Sequence, residues 1–179
     1  QALLVGGNLT TTDLIGNGIW LLLTHPEQAA ALRADPGLAA QAVEEVLRYE
    51  APVQVTSRIV EADRTVAGCP MQKSQPVFMS LAAANRDPEV FSAPQDFDIT
   101  QKRASHIAFG GGPHICIGAP LARIEARHVY LKLLEKHGLI LVVAERLVSG
   151  IVERRYRAVA KRLRLDRGSF GGEEIGRAH

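Results

Sequence analysis

Apolar residues dominate the first 24 positions, and no proline interrupts them. The apolar pattern runs through Leu3, Leu4, Leu14, Ile15, Trp20, Leu21 and Leu22. This length and pattern predict a buried helix. HPEQAAALRAD predicts a second helix that begins near Pro26, and PGLAAQAVEEVLRYE predicts a third that ends before Pro52.

The pattern after Pro52 changes to short stretches rich in β-branched residues. VQVTSRIV, TVAG and VFMSLA, which lie between residues 53 and 82, predict strands. Residues 85–105 are rich in Pro, Asp, Asn and Ser, and predict a long irregular connection. Such a connection in a compact domain is usually functional or disordered.

A second helical pattern runs from about residue 118 to residue 137 and ends at Gly138. Its apolar positions and one histidine share a face: Leu121, Ile124, His128, Leu131 and Leu134. LILVVAE, LVSGIV and YRAVAKRLRL predict closing strands, and GSFGGEEIGRAH predicts a disordered tail.

Composition narrows the function only slightly. The chain has 179 residues, enough for one domain with a core, and its net charge of +2 is too small to indicate nucleic acid as a partner. No uninterrupted apolar run reaches the length of a membrane span. Two cysteines, Cys69 and Cys116, favour a reducing compartment, and we expect a cytoplasmic protein. Because the helical pattern begins at Gln1 without a cap, we expect the chain to be a piece of a longer one.

The segment FGGGPHICIG concentrates glycines around Cys116. Glycines 110–112 permit positive φ angles and a close neighbour, and Pro113 stiffens the turn. The cysteine stands just before a predicted helix, whose N-terminus favours a thiolate. The loop therefore predicts either a reactive or ligating sulfur or a small buried hydrophobe.

Several chemistries would use this sulfur. A nucleophile needs a base, for which His114 is the nearest candidate. Zinc would need further ligands from Cys69, His106 and His114, but no metal-ligand spacing supports them. A planar iron cofactor needs only one thiolate, together with glycines that let a flat macrocycle approach the backbone.

Three sequence motifs now carry a resemblance. Phe109, Gly112, His114, Cys116 and Gly118 fit the FxxGx(R/H)xCxG signature of the cytochrome P450 family, followed by GAPLAR. EEVLR fits the ExxR motif, and GGNLTTT resembles the (A/G)Gx(D/E)TT segment. The similarity runs from about residue 1 to residue 165. It implies a mainly α fold with small β-sheets (α+β), namely the C-terminal portion of the P450 fold truncated at its N-terminal side. Residues 1–166 would form this part, and 167–179 a tail.

The resemblance also implies a cofactor, haem b, with Cys116 as the axial thiolate ligand of its iron. Arg58, His106 and His114 match positions that contact the haem propionates. The residues that the resemblance assigns to cofactor binding are Gly6, Gly7, Arg58, His106, Phe109, Gly110, His114, Ile117, Gly118 and Ala122.

Glu45 and Arg48 of the ExxR motif lie three residues apart, so they share a helix face. The resemblance implies a buried structural pair. Family members usually add an arginine in a PxRF pattern, where this chain has Asp96. Arg86 and Arg103 are the candidates for the third partner.

The first helix contains the residues that the resemblance links to oxygen chemistry. Thr10 can donate a hydrogen bond to the carbonyl of Gly6 and bend the helix. Thr10 matches the threonine associated with proton delivery, whereas Leu9 stands where most members have an acid. A proton route would then use Thr10, water, and Asn8 or Thr11. A plain buried helix is the alternative.

The substrate pocket would be lined by two mostly apolar segments: Val53, Gln54 and Val55, and Gly150, Ile151 and Val152. The resemblance implies a monooxygenase that inserts one oxygen atom from O2 into a small hydrophobic substrate, using electrons from a ferredoxin or a similar partner. The alternatives are a cysteine-dependent hydrolase that uses Cys116, and a non-catalytic remnant of the fold. We expect the chain alone to be inactive.

Overall fold

The computed structural model describes residues 2–135, 140–148 and 151–158, with side-chain environments for residues 6–133. The chain divides into two compact units, Gln1–His137 and Gly138–His179. The boundary predicted at residue 166 and the predicted tail lie outside the described residues. The described parts combine helices with small two-stranded sheets, which confirms the predicted fold class.

The helices described in the first unit are α1 (Ala2–Thr24), α2 (Pro26–Ala34), α3 (Ala39–Tyr49), α4 (Leu81–Ala84) and α5 (Ala119–Glu135). Four of these five helices lie where the sequence predicted helices, and the short helix α4 was not predicted. Pro26 occupies the first turn of α2, where its missing N–H costs nothing. A 3₁₀ turn, Pro36–Leu38, precedes α3, and the side chain of Asp35 caps it by accepting from the Gly37 N–H at 2.9 Å.

The core of this unit lies where α1 and α3 pack against α5. The spacing of Ala39, Ala42, Val43, Val46 and Leu47 puts one apolar stripe of α3 inward, and all five are buried. Because the α1 pattern is apolar on several sides, we expected a buried helix. Among its described side chains, residues 6–9 are exposed, and the buried ones, which include Leu14, Leu21 and Leu22, lie from residue 11 onward.

The buried face of α5 differs from the apolar face that the sequence suggested. Leu121 and Ile124 are 59% and 66% exposed, while Ala122, Ala126 and Tyr130 are buried. Small residues allow the helices to approach closely, and the Tyr130 hydroxyl donates to the carbonyl of Leu14 at 2.7 Å. Burial raises the pKa of Tyr130.

Two antiparallel sheets follow α3. Strand β1 (Val55–Ile59) pairs with β4 (Pro76–Ser80), and β2 (Arg64–Val66) pairs with β3 (Cys69–Met71). The sequence did not predict β3, which contains a proline. The β2–β3 hairpin turns through Ala67 and Gly68, both at positive φ, as a two-residue turn requires. The predicted strand VFMSLA ends early, because Ser80 caps α4 by accepting from the Ala83 N–H at 3.1 Å.

Residues 85–111 contain no helix or strand, which confirms the predicted irregular connection for residues 85–105. The second unit contains the antiparallel pair β5 (Ile140–Val148) and β6 (Ile151–Ala158), with a register shift between Val142 and Ala144. The prediction of LVSGIV as a strand of its own is wrong, because it spans the end of β5 and the beginning of β6.

Candidate haem-thiolate site

One open cleft in the first unit brings distant parts of the chain together. Its empty volume, which includes space open to solvent, is about 810 Å³. The lining comes from α1, α3 and the region after it, β1, α4, the cysteine loop (residues 109–118) and α5. The lining residues are Gly6, Thr10, Thr11, Leu14, Leu47, Pro52, Val53, Thr56, Arg58, Leu81, Ala108, Phe109, Gly110, His114, Cys116 and Ala122. Thr10 and Cys116, which the sequence analysis assigned to the same site, therefore share one cleft.

The cysteine loop is shaped by its glycines. Gly110 and Gly112 adopt φ angles of 73° and 62°, whereas Gly111 is extended at −161°. Positive φ is therefore required at two of the three glycines predicted to permit it. The Cys116 N–H donates to the carbonyl of Phe109 at 2.9 Å, and the Cys116 carbonyl accepts from the Ala119 N–H at 3.2 Å, where α5 begins.

The Cys116 side chain is exposed and its thiol is free. A Cβ on Gly118 would lie 3.8 Å from Sγ, so glycine leaves that side of the sulfur open. In the described part of the chain, no hydrogen bond joins His114 to this sulfur, and no three His, Cys, Asp or Glu residues are grouped to hold a metal ion. Neither the nucleophile–base pair nor the zinc set therefore forms among these residues.

The α1 wall of the cleft contains the predicted intrahelical bond. The Thr10 hydroxyl donates to the carbonyl of Gly6 at 2.5 Å, which confirms that prediction. A Cβ on Gly6 would meet nothing within 4 Å. Thr11 is buried, whereas Leu9 is 67% exposed and does not line the cleft. Leu9 is therefore not buried by the described residues.

Two basic side chains line the cleft without a carboxylate partner. Arg58 donates to the Thr56 hydroxyl at 3.2 Å and to the Ser57 carbonyl at 2.8 Å. Within the described residues, neither Arg58 nor His114 forms an ion pair. Their donors are therefore available to an anionic group in the cleft.

Several predicted site residues lie elsewhere. Seven described residues that were predicted for catalysis, cofactor binding or the substrate pocket do not line the cleft. They are Gly7, Asn8, Gln54, Val55, His106, Ile117 and Gly118. Ile117 is 85% exposed, and Gln54 donates instead to the Glu50 carboxylate at 2.9 Å. The side chains of Ile151 and Val152, like residue 150, lie outside the described residues.

His106 belongs to a cluster that the sequence analysis missed. Its Nε2 lies 3.1 Å from Oε2 of Glu44. Arg123 donates to both Glu44 oxygens, from Nε at 2.6 Å and from Nη2 at 2.9 Å. The sequence contained a signal for this cluster, because Glu44 directly precedes the ExxR glutamate and Arg123 is the last residue of GAPLAR.

The two basic partners of Glu44 lower the pKa of its carboxyl group. Its burial alone would raise its pKa, but the hydrogen bonds from His106 and Arg123 outweigh burial and lower the pKa to about 2. The same pairing raises the pKa of Arg123. Glu44 therefore stays a carboxylate under all but strongly acidic conditions.

The ExxR pair is buried and fully hydrogen bonded. Arg48 donates from Nε and Nη2 to the two Glu45 oxygens, each at 2.8 Å. Its other donors reach the carbonyls of Asn85, Pro94 and Asp96. All five N–H groups of the guanidinium are thereby used.

Arg103 is the third partner of the pair. Its Nε lies 3.2 Å from Oε2 of Glu45, although without hydrogen-bond geometry. It also donates to the carbonyls of Ser92 and Asp96. Arg86, the other candidate, pairs instead with Glu50 at 3.8 Å.

The residues that line the cleft fit a haem group. A free sulfur, two unpaired basic side chains and a largely apolar lining match the iron, the carboxylates and the flat face of that cofactor. The missing Cβ atoms of Gly6 and Gly110 leave room for close approach to the backbone. The cleft thus combines a sulfur, cationic donors and apolar surface, which are the kinds of group that bind haem.

Comparison with known proteins agrees with this fit. No helix among the described residues is long and apolar enough to span a membrane. The family model "Cytochrome P450" matches residues 37–143. "Biotin biosynthesis cytochrome P450" of Bacillus subtilis is 44% identical over 134 residues, which are 75% of this chain and 34% of the relative. "Cytochrome P450 monooxygenase PikC" of Streptomyces venezuelae is 50% identical over 135 residues, 75% of this chain and 32% of the relative.

Solved structures give the same result. P450BioI in complex with acyl carrier protein ligated to hexadec-9Z-enoic acid has a TM-score of 0.77 and 39% identity, covering 85% of this chain and 40% of that one. CYP109E1 of Bacillus megaterium in complex with corticosterone has a TM-score of 0.78 and 36% identity, covering 86% and 43%. The chain spans about a third of the length of the curated relatives it matches. This chain belongs to the cytochrome P450 family.

Proposed function

We propose that this chain acts within a longer protein as the haem-binding part of a monooxygenase, with Cys116 as the axial ligand of haem b. The observation that carries the proposal is the single cleft lined by both Cys116 and Thr10. When bound, thiolate-ligated haem iron supplies the activation of O2. The cysteine loop presents the sulfur, and its glycines admit the macrocycle.

The remaining residues of the chain bind and orient. Arg58 and His114 would bind the haem propionates, because both line the cleft without a carboxylate partner. Phe109 and Ala122 provide apolar contacts beside Cys116. His106 would contact a propionate only if its ring left Glu44, with which it pairs in this structure.

A proton path along α1 is part of the proposal. The Thr10 hydroxyl donates to Gly6, which leaves its oxygen free to accept from water in the cleft. Leu9 cannot relay protons, so water beside Thr10, with Asn8 or Thr11, would supply them.

Thr10→Ala should divert electrons into peroxide, whereas Leu9→Asp should fold because Leu9 is exposed. The measurement is product formed per reduced cofactor consumed, with haem content as the folding control. Unchanged coupling in Thr10→Ala would remove this role.

The substrate would be a small apolar molecule. Val53, Leu47 and Leu81 line the cleft, and such a lining favours hydrophobic ligands. Two structural neighbours were solved with hexadec-9Z-enoic acid ligated to acyl carrier protein and with corticosterone, and both the fatty acid and corticosterone are largely apolar. Electrons would come from a ferredoxin or a similar donor, in the cytoplasm.

The chain of 179 residues alone should bind haem weakly and be inactive. The cleft is open, and Leu9, Ile117 and Leu121 are each more than half exposed. Exposed apolar surface of this kind favours aggregation. Haem titration of the isolated chain tests this proposal, and a monomeric preparation with one haem per chain would contradict it.

The ligand assignment has a direct test. In the full-length protein that contains this chain, Cys116→Ser should abolish the red-shifted carbon-monoxide band of the reduced form. Cys69→Ser is the matched control, because Cys69 is equally free and exposed but lies on the β2–β3 hairpin. Retention of the band in Cys116→Ser, or its loss in both variants, would refute Cys116 as the specific ligand.

A further inference from the structure

Two side chains that both pair with Glu44 lie near the Phe109 ring. The guanidinium carbon of Arg123 is 4.7 Å from the centre of the Phe109 ring. The His106 ring centre is 6.2 Å from the same ring. Glu44 contacts both basic residues, so one carboxylate on α3 holds the two neighbours of this aromatic ring. We call Glu44, His106, Phe109 and Arg123 the Glu44 cluster.

The Glu44 cluster connects directly to the backbone of the cysteine loop. The carbonyl of Phe109 accepts from the Cys116 N–H at 2.9 Å. The Nδ1 atom of His106 accepts from the Ala108 N–H at 3.1 Å. A shift of the Phe109 ring would therefore move the carbonyl that anchors Cys116.

We propose that Glu44 is a positioning residue for the Cys116 loop, acting through Arg123 and Phe109. The bidentate ion pair orients the guanidinium plane over the ring, and the ring fixes the peptide that accepts from Cys116. This inference rests on the proposed function only in naming the sulfur as the group that needs positioning. The competing explanation is that Glu44 merely joins α3 to α5.

The chain contains a matched control for this arrangement. Glu50 pairs with Arg86 at 3.8 Å, and the Arg86 guanidinium lies 4.0 Å from the centre of the Tyr49 ring. The two carboxylates are similarly exposed, at 43% for Glu44 and 39% for Glu50. Glu50→Gln therefore removes a carboxylate beside an arginine and an aromatic ring, although a more weakly paired one, and Glu50 makes no described hydrogen bond or ion pair with the cysteine loop.

Amide hydrogen exchange of the full-length protein that contains this chain, prepared without haem, tests the proposal. In Glu44→Gln, the Cys116 amide should exchange about tenfold faster than in the unchanged chain, while the Tyr130 amide in α5 keeps its rate. Glu50→Gln should change Cys116 exchange by less than about twofold. Arg123→Lys keeps the charge but loses the planar fork, and should resemble Glu44→Gln.

Two results would overturn the proposal. Equal acceleration at Cys116 and Tyr130 would show that Glu44 only stabilises the packing of α3 and α5. Unchanged exchange at Cys116 in both Glu44→Gln and Arg123→Lys would show that the cluster does not hold the loop. Because this measurement is made without haem, its result does not depend on whether Cys116 is the haem ligand. The positioning role of Glu44 and the ligand assignment can therefore fail independently.

Discussion

Replacing Arg48 by alanine removes the donors that hold Glu45 and three main-chain carbonyls. The guanidinium makes five hydrogen bonds, and the side chain is 1% exposed. After the substitution, the Glu45 carboxylate would keep Arg103 and the Asp98 N–H as partners. The cavity left behind would be buried and polar.

The size of the effect follows from burial. Removing one partner of a buried ion pair costs about 3–5 kcal/mol, because the other charge stays desolvated. The carbonyls of Asn85 and Pro94 also lose an arginine donor, which makes the upper half of that range the expectation. We expect Arg48→Ala to lower the free energy of unfolding by about 4 kcal/mol, against a total of about 5–15 kcal/mol for a typical domain.

Urea unfolding followed by the fluorescence of Trp20, the sole tryptophan, measures this change. For a slope near 2 kcal/mol per molar urea, the midpoint should fall by about 2 M. Arg86→Ala is the control, since Arg86 is 27% exposed and should cost about 1 kcal/mol. Arg48→Lys keeps the charge without the fork and should fall between the two. An Arg48→Ala value within about 1 kcal/mol of the Arg86→Ala value would refute the reasoning.

Three further predictions concern packing, backbone strain and pH. Gly18→Ala should destabilise the protein by about 1–3 kcal/mol in thermal unfolding, because its Cβ would lie 1.9 Å from the Tyr130 hydroxyl oxygen; an unchanged melting temperature would contradict that contact. Gly112→Ala at positive φ should cost about 1–2 kcal/mol. Gly111→Ala should be neutral or slightly stabilising. Equal losses of stability in Gly111→Ala and Gly112→Ala would exclude backbone strain at positive φ as the cause. The folded-state pKa of Glu44 is lowered, so its stabilising effect should be complete above pH 4.5 and be lost as pH falls toward 2. A difference in unfolding free energy between the unchanged chain and Glu44→Gln that does not shrink over this pH range would contradict the pairing.

The sequence predicted those features that depend on local patterns. The stripe on α3 and the proline at the start of α2 determine helices that form as expected. The Thr10–Gly6 bond was predictable because a helix fixes the distance between residues four apart. The cysteine loop was recognisable because the FxxGx(R/H)xCxG signature lies within ten consecutive residues, although its glycines alone also fitted a small buried hydrophobe.

Features that depend on distant contacts were not predictable in the same way. The buried face of α5 is set by the close approach of Tyr130 to Gly18, which no local pattern encodes. Glu44 looked like any half-exposed acid beside Glu45, because its partners follow 62 and 79 residues later. The choice of Arg103 over Arg86 likewise required the path of the irregular connection.

Side chains hold the irregular connection by donating hydrogen bonds to its backbone carbonyls. Arg48, Arg103 and Gln41 donate to its backbone, and the accepting carbonyls belong to Asn85, Ser92, Pro94, Asp96 and Ile99. Every amino acid offers the same carbonyl, so the donors do not depend on which side chain stands at most of these positions. The segment can therefore vary in sequence while its course is preserved, and this explains how Asp96 can occupy a position where an arginine was expected. Variation should instead be restricted at the donors, two of which, Gln41 and Arg48, lie on α3, outside the connection that they hold, while Arg103 lies within it.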